Sequence, residues 1–94
     1  MTTVKNETMR MRLESSLKDA PFARDANAEV RVELHSKNKL HIEVVSPSFL
    51  GKSNEDRNEE VWPLIEKLGD EYVLSVSLCM LLTPAEAEAI RSVS

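Results

Sequence analysis

The sequence predicts an α+β domain in which helices pack on one face of a three-stranded mixed sheet. Two neighbouring segments alternate apolar and polar residues, which is the pattern of half-buried strands. Helix-periodic segments stand before and after them, and a third, apolar strand segment follows the second helix. A chain of 94 residues that is 41 % apolar and 30 % charged has the composition of one globular domain with a single small core.

The first predicted helix spans residues 8–20. Its apolar residues recur at helical spacing: Met9, Leu13, Leu17 and Ala20. Pro21 ends it, because the residue before a proline avoids the helical region of backbone space. We expect Phe22 to pack the helix onto the sheet. Residues 1–7 carry little pattern, and we expect them to be flexible.

Residues 28–35 and 39–45 are predicted as the two strands of a hairpin. In both strands the apolar residues that face the core are even-numbered: Val30, Val32, Leu34, Leu40, Ile42 and Val44. Since both apolar sets must share one face of the sheet, only every second register is allowed.

Charge favours one of two such registers. The first leaves residues 36–38 as the turn and places Arg31 opposite Glu43 and Glu33 opposite His41, which are favourable pairs. The second places Glu33 opposite Glu43 and His35 opposite His41. We predict the first register. The second would make His35 and His41 a pair of metal ligands, although two ligands do not complete a zinc site.

The second predicted helix follows Ser53, a good N-cap residue, with Asp56 in the position of a capping box. Its apolar face consists of Val61, Leu64, Ile65 and Leu68. Pro63 removes one backbone donor, so we expect a kink or a break into two short helices there. Gly69 is expected to end the helix.

Residues 72–82 are predicted as the third strand. The residues expected to face the helices are Tyr72, Leu74, Val76, Leu78, Met80 and Leu82. Cys79 is then expected on the other face, in an apolar patch with Val45, Val73 and Leu81 that serves as a dimer surface or packs against the last helix. That helix is predicted from Pro84 to about Arg91, with Thr83 as its N-cap and Glu86 completing a capping box.

The stretch between the second strand and the second helix resembles the signature of the BolA family, roughly Phe-x-Gly-Lys-Ser-x-x-x-Arg-His-Arg. The matching residues are Phe49, Gly51, Lys52, Ser53, Arg57 and Val61. The family's histidine falls on Asn58 and its second arginine on Glu59. The resemblance implies the class II KH-like fold, with elements in the order αββ(α)αβα, where the extra helix is a brief one at the Phe-x-Gly turn.

In BolA proteins that histidine is a ligand of a [2Fe–2S] cluster shared with a monothiol glutaredoxin, and a second ligand comes from the loop between the first two strands. His35 stands at the edge of that loop. Asparagine is a poor iron ligand, because clusters of this kind take thiolate or imidazole. Either the cluster role is lost, or it is rebuilt from His35, His41 or Cys79; we favour its loss.

The resemblance implies a non-enzymatic interaction protein that docks a monothiol glutaredoxin or another iron–sulfur or stress-response partner. The candidate partner-binding residues are Phe49, Gly51, Lys52, Ser53, Arg57, Asn58 and Trp62. Two readings of Arg57 stay open: it bonds the Phe49–Gly51 turn, or it points to a partner. Trp62 is a binding anchor or covers the edge of the core.

The alternative function is a nucleic-acid-binding transcriptional regulator that uses the KH-like surface. A net charge of −4 and the acidic start of the second helix oppose it. We find no nucleophile–base pair, metal-ligand cluster or carboxylate dyad, and predict no enzymatic activity. A single cysteine and the lack of a membrane span or signal-peptide core predict a cytoplasmic protein. We expect it to be a monomer or a weak homodimer.

Overall fold

The computed structural model describes residues 2–35 and 39–93. Its helices and strands, in chain order, are α1 (Thr2–Lys18), β1 (Glu29–His35), β2 (Lys39–Val45), α2 (Asn54–Leu68), α3 (Asp70–Ser75), β3 (Val76–Leu82) and α4 (Pro84–Val93). Short 3-10 turns, Pro21–Ala23 and Pro47–Phe49, precede β1 and α2. Within these ranges, no helix combines the length and the apolar character required to cross a bilayer.

The three strands form one mixed sheet, which confirms the predicted α+β architecture. The strand order is β1-β2-β3, with β1 and β2 antiparallel and β2 and β3 parallel. The predicted hairpin register is confirmed as well: Arg31 lies opposite Glu43, and Glu33 lies opposite His41. The predicted turn, residues 36–38, falls outside the residues that the structure describes.

Helices α1 and α2 pack on one face of the sheet and enclose the core. The most deeply buried of its side chains are Leu13, Leu17, Leu40, Ile42, Val44, Phe49, Val61 and Ile65. Phe22 belongs to the same core, and its ring lies 5.6 Å from that of Phe49, so it packs the chain after α1 against the turn after β2. We call this side of the sheet the core face and the opposite side the open face.

The first helix is longer at its N-terminus than predicted, and the second has the predicted bounds. Helix α1 begins at Thr2, so residues 2–7, which we expected to be flexible, belong to it. Helix α2 runs through Pro63 and is not broken into two helices there, and Gly69 caps its C-terminus, as predicted. The proline ring stands at an exposed position of α2.

The third strand is shorter than predicted, and its faces are reversed after Ser77, whereas Tyr72 and Val76 pack towards the core as expected. Residues 70–75 form α3, which begins after Gly69. Leu40 pairs with Val76 but His41 pairs with Leu78, so Ser77 is a bulge residue without a partner of its own. Cys79 and Leu81 consequently pack against the core. The prediction failed because this segment is apolar at both odd and even positions, so alternation does not define its buried face.

Helix α4 lies across one end of the open face. Ala87 and Val45 are both buried there, and Val45 belongs to the open-face set of β2. Arg91 extends over the sheet, where its Nη2 atom lies 3.4 Å from Oε2 of Glu29 and 3.7 Å from Oε1 of Glu43. The predicted apolar patch was expected either to serve as a dimer surface or to pack against the last helix. Of its residues, Val45 lies on the open face beside that helix.

Candidate partner-binding surface

The connection from β2 to α2 is fixed at its start by Ser46. This side chain is fully buried, and its hydroxyl donates to the backbone carbonyl of Phe22 over 2.5 Å. Its amide N–H donates to the carbonyl of Leu82 over 2.8 Å, and its Oγ accepts from the amide of Ser48 over 3.2 Å. One serine thus ties together the loop after α1, the end of β3 and the 3-10 turn.

The turn that follows has one buried and one exposed apolar residue in succession. Phe49 has no exposed surface, whereas Leu50 is 79 % exposed. Gly51 then takes a φ of +80°, which lies in the left-handed region that favours glycine. The amide of Lys52 donates to the carbonyl of Phe49 over 3.0 Å and closes the turn. The buried ring therefore anchors a turn whose tip carries a leucine in solvent.

Arg57 holds this turn from beneath. Its side chain is buried, its guanidinium lies 5.7 Å from the centre of the Phe49 ring, and its Nε donates to the carbonyl of Lys52 over 3.0 Å. Its Nη1 donates to the carbonyl of Leu81 over 2.9 Å. Of the two readings of Arg57, the structure shows the bond to the turn. Phe49 and Arg57 thus support the candidate surface from within.

The remaining donors of Arg57 go to Glu86 at the start of α4. Nη1 donates to Oε1 over 2.6 Å and Nη2 to Oε2 over 3.3 Å. Glu86 also completes the predicted capping box: its Oε1 accepts from the amide of Thr83 over 2.8 Å, and its own amide donates to the Thr83 hydroxyl over 3.2 Å. The hydrogen bond from Arg57, followed by that from the Thr83 backbone, lowers the pKa of Glu86 to about 2.

Lys52 and Ser53 lie where the turn becomes α2. The ammonium group of Lys52 is 2.7 Å from Oε2 of Glu60, so this lysine is ion-paired two turns into the helix. Ser53 is the N-cap, as predicted, and its Oγ accepts from the amide of Asp56 over 3.1 Å. Lys52 is half-buried, and the carboxylate of Glu60 balances its charge. This ion pair connects the turn to the side of α2.

Asn58, at the position of the family histidine, makes two hydrogen bonds within α2. Its Nδ2 donates to the carbonyl of Asn54 over 2.8 Å, and its Oδ1 accepts from the indole Nε1 of Trp62 over 2.8 Å. Trp62 itself is half-buried and packs against the core. Asn58 therefore orients the indole, and of the two readings of Trp62 the structure shows the one in which it covers the edge of the core.

The candidate metal ligands lie on opposite faces of the sheet, with the two histidines on one and Cys79 on the other. His35 and His41 lie on the open face with their rings stacked at 3.8 Å between centroids. Cys79 points to the core face, where burial raises its pKa to about 11. Among residues 2–35 and 39–93, no group of three or more His, Cys, Asp or Glu side chains is arranged to hold a metal ion. The structure therefore does not assemble a site from Cys79 and the histidines.

Two features of the surface escaped the sequence reasoning. One is Leu50, although an apolar residue between a buried phenylalanine and a turn glycine is a readable signal of an exposed tip. The other is the stack of His35 on His41. We expected these residues to meet only in the alternative hairpin register, yet they stack in the register that we predicted. His35 is the diagonal neighbour of His41, at a distance that aromatic rings can bridge.

Comparisons of this chain with protein-family models, with curated proteins and with solved structures found no match.

Proposed function

We propose that this chain is a non-enzymatic, BolA-like interaction protein that docks a monothiol glutaredoxin or another iron–sulfur or stress-response protein. The docking surface consists of Leu50, Gly51, Lys52, Ser53, Asn58 and Trp62. One observation carries the proposal: Leu50 is 79 % exposed at the tip of a turn that buried side chains hold in place. A leucine held exposed on a rigid turn can be covered by a partner at a small cost in conformational entropy.

The support for the turn comes from three directions. Phe49 packs below it, Arg57 bonds its last carbonyl, and the Lys52–Glu60 ion pair fixes its side. Rigid presentation matters because each flexible side chain or loop that is ordered on binding costs affinity. The resemblance to BolA proteins suggests the class of partner. We also propose a cytoplasmic location for this chain.

Docking in this proposal does not require ligation of the shared cluster. Asn58 presents a neutral amide, and both of its polar ends are engaged within α2. The acidic residues Glu55 and Asp56 at the start of α2 face solvent. They disfavour the nucleic-acid alternative, because binding to nucleic acid depends on cations that contact phosphates.

Calorimetric titration with an apo monothiol glutaredoxin tests the docking surface. Leu50→Asp is the variant, and Leu74→Asp is its matched control, because Leu74 on α3 is also 79 % exposed. We expect Leu50→Asp to weaken binding about 30-fold, the effect of losing an anchor worth about 2 kcal/mol. Leu74→Asp should leave it unchanged. Absence of binding by the unaltered protein, or equal losses in both variants, would refute the proposal.

The role of the cluster is measured separately. The two proteins are mixed with iron and sulfide, and the visible absorption is compared with that of glutaredoxin alone. We expect the same spectrum in both samples, because Asn58 supplies no ligand. A distinct spectrum would show that this chain ligates the cluster. The statement that docking does not involve cluster ligation would then be wrong.

A further inference from the structure

The outer edge of β3 differs from the outer edge of β1. Because the strand order is β1-β2-β3, both strands lie at edges of the sheet. Strand β1 carries charged or titratable residues at every second position: Glu29, Arg31, Glu33 and His35. Strand β3 reads Val-Ser-Leu-Cys-Met-Leu-Leu and has no charge, proline or glycine. Edge strands in natural proteins are usually protected by such residues, so the β3 edge lacks the protection that β1 has.

Backbone hydrogen bonds show which groups face this edge. The carbonyl of Leu82 accepts from Ser46 and therefore points towards β2, whereas the carbonyl of Leu81 accepts from Arg57. Successive residues of a strand direct their backbone groups to opposite edges, so those of Cys79 point outwards, like the carbonyl of Leu81. Arg57 closes the edge at Leu81 and the bulge at Ser77 interrupts it, so among the residues that the structure describes the segment 78–80 is the open part of this edge.

The side chains beside this open segment are apolar. Leu78 is 44 % exposed on the open face, and Met80 lies half-buried on the same face. Both line the shallow groove that also contains His41 and Glu43 of the neighbouring strand. An added strand would therefore gain backbone hydrogen bonds from Cys79 and apolar contact from Leu78 and Met80.

We propose that the β3 edge pairs antiparallel with the same edge of a second copy of this chain. The two-fold axis passes beside Cys79, so that the Cys79 amide and carbonyl of each copy bond those of the other. Leu78 of each copy then lies opposite Met80 of the other, on one continuous open face. The result is a six-stranded sheet with a charged β1 strand at each end.

Charge selects a second copy of β3 as the occupant. Two uncharged strands place no like charges opposite each other, whereas β1 would bring Glu29 and Glu33 against an apolar strand. Pairing of β3 with β1 would also repeat without closing and produce filaments, while β3 with β3 closes as a dimer. The Glu43 side chains of the two copies would stand about 14 Å apart, three strand spacings, which exceeds the screening length in physiological salt.

The short open segment predicts a weak dimer, so the test is sedimentation equilibrium of the full chain, without glutaredoxin, at up to about 1 mM. We expect a dimer at high concentration and at least a tenfold weaker association in Leu78→Lys, which places two ammonium groups beside the axis. Met11→Lys on α1, where Met11 is 57 % exposed, is the control and should dimerise normally. Circular dichroism verifies that both variants are folded.

Amide hydrogen exchange provides a second readout that does not depend on a variant. Exchange at the Cys79 amide should slow as the protein concentration rises, because that amide becomes hydrogen-bonded in the dimer. A protein that stays monomeric throughout, or a dimer that Leu78→Lys does not weaken, would overturn the proposal. Open-ended growth with concentration would also overturn it and would indicate pairing between β3 and β1. Since no partner protein is present, these outcomes are independent of glutaredoxin docking.

Discussion

The guanidinium of Arg57 and the carboxylate of Glu86 form a two-pronged ion pair, with Nη1 2.6 Å from Oε1 and Nη2 3.3 Å from Oε2. The pair joins α2 to the first turn of α4 across the end of β3. Because Arg57 also bonds the carbonyls of Lys52 and Leu81, one side chain connects the candidate docking turn, the sheet and the last helix. The stability of the docking turn is thereby linked to that of α4.

Replacement of Arg57 should be costly. In Arg57→Ala the carbonyl of Leu81 loses its partner in a buried place, and we expect a loss of about 2–3 kcal/mol in the free energy of unfolding. Arg57→Lys should recover only a small part, because an ammonium group cannot bond in the planar, forked manner of a guanidinium. Urea denaturation measures both, with the exposed Lys67→Ala as control. Equal stability of Arg57→Ala and the unaltered protein would contradict the role assigned to Arg57.

Glu86 makes the free energy of unfolding depend on pH in the acid range. Its pKa falls from about 4.5 to about 2 on folding, because Arg57 and the Thr83 backbone bond the charged form. A carboxylate with a lowered pKa stabilises the fold fully above about pH 4.5, and this contribution disappears as the pH falls towards about 2. Glu86→Gln should therefore be less stable than the unaltered protein at neutral pH, and the difference should vanish near pH 2.

Denaturation of both proteins across this pH range measures the difference. Glu88→Gln, an exposed substitution on the same helix, separates the specific effect from the loss of one negative charge. A difference between Glu86→Gln and the unaltered protein that stays constant with pH would show that folding does not lower the pKa of Glu86.

Local rules predicted most of the fold. Cross-strand charges identified the hairpin register, and the Thr83-to-Glu86 box marked the start of α4, because each signal depends on residues that meet within one or two elements. The prediction of the buried face of β3 was wrong for a physical reason. Leu78 and Cys79 are both apolar, and only the bulge at Ser77, a tertiary feature, decides which of them is buried. Asp70 and Glu71, which suit a helix N-terminus, were the overlooked signal for α3.

The site was predicted less well than the fold. The motif located the turn, but it did not distinguish residues that support it from residues that meet solvent. Phe49 and Arg57 are buried, and this follows from contacts with Phe22, Leu81 and Glu86, more than 20 positions away in the chain. Such long-range partners leave no periodic trace, so their roles emerged only from the packed structure.

A histidine at position 58 should allow this chain to share a cluster. In Asn58→His an imidazole replaces the amide at the position where the BolA resemblance implies a ligand, and imidazole is an accepted ligand of [2Fe–2S] centres. With a monothiol glutaredoxin, iron and sulfide, we expect a visible spectrum distinct from that of glutaredoxin alone. Asn58→Gln keeps an amide and is the matched control. If the histidine variant gave glutaredoxin's own spectrum while still binding glutaredoxin, the ligand position implied by the resemblance would be wrong.

The two glycines at helix boundaries should differ in their tolerance of asparagine. Gly51 has a φ of +80°, in the left-handed region that asparagine enters readily, whereas Gly69 has a φ of +123° with a ψ of 162°, a region occupied almost only by glycine. A Cβ at either position would meet nothing within 4 Å, so backbone strain alone determines the cost. We expect Gly51→Asn to lose less than about 1 kcal/mol and Gly69→Asn about 1–3 kcal/mol. Urea denaturation measures both, and equal losses would show that the conformation at Gly69 relaxes without penalty.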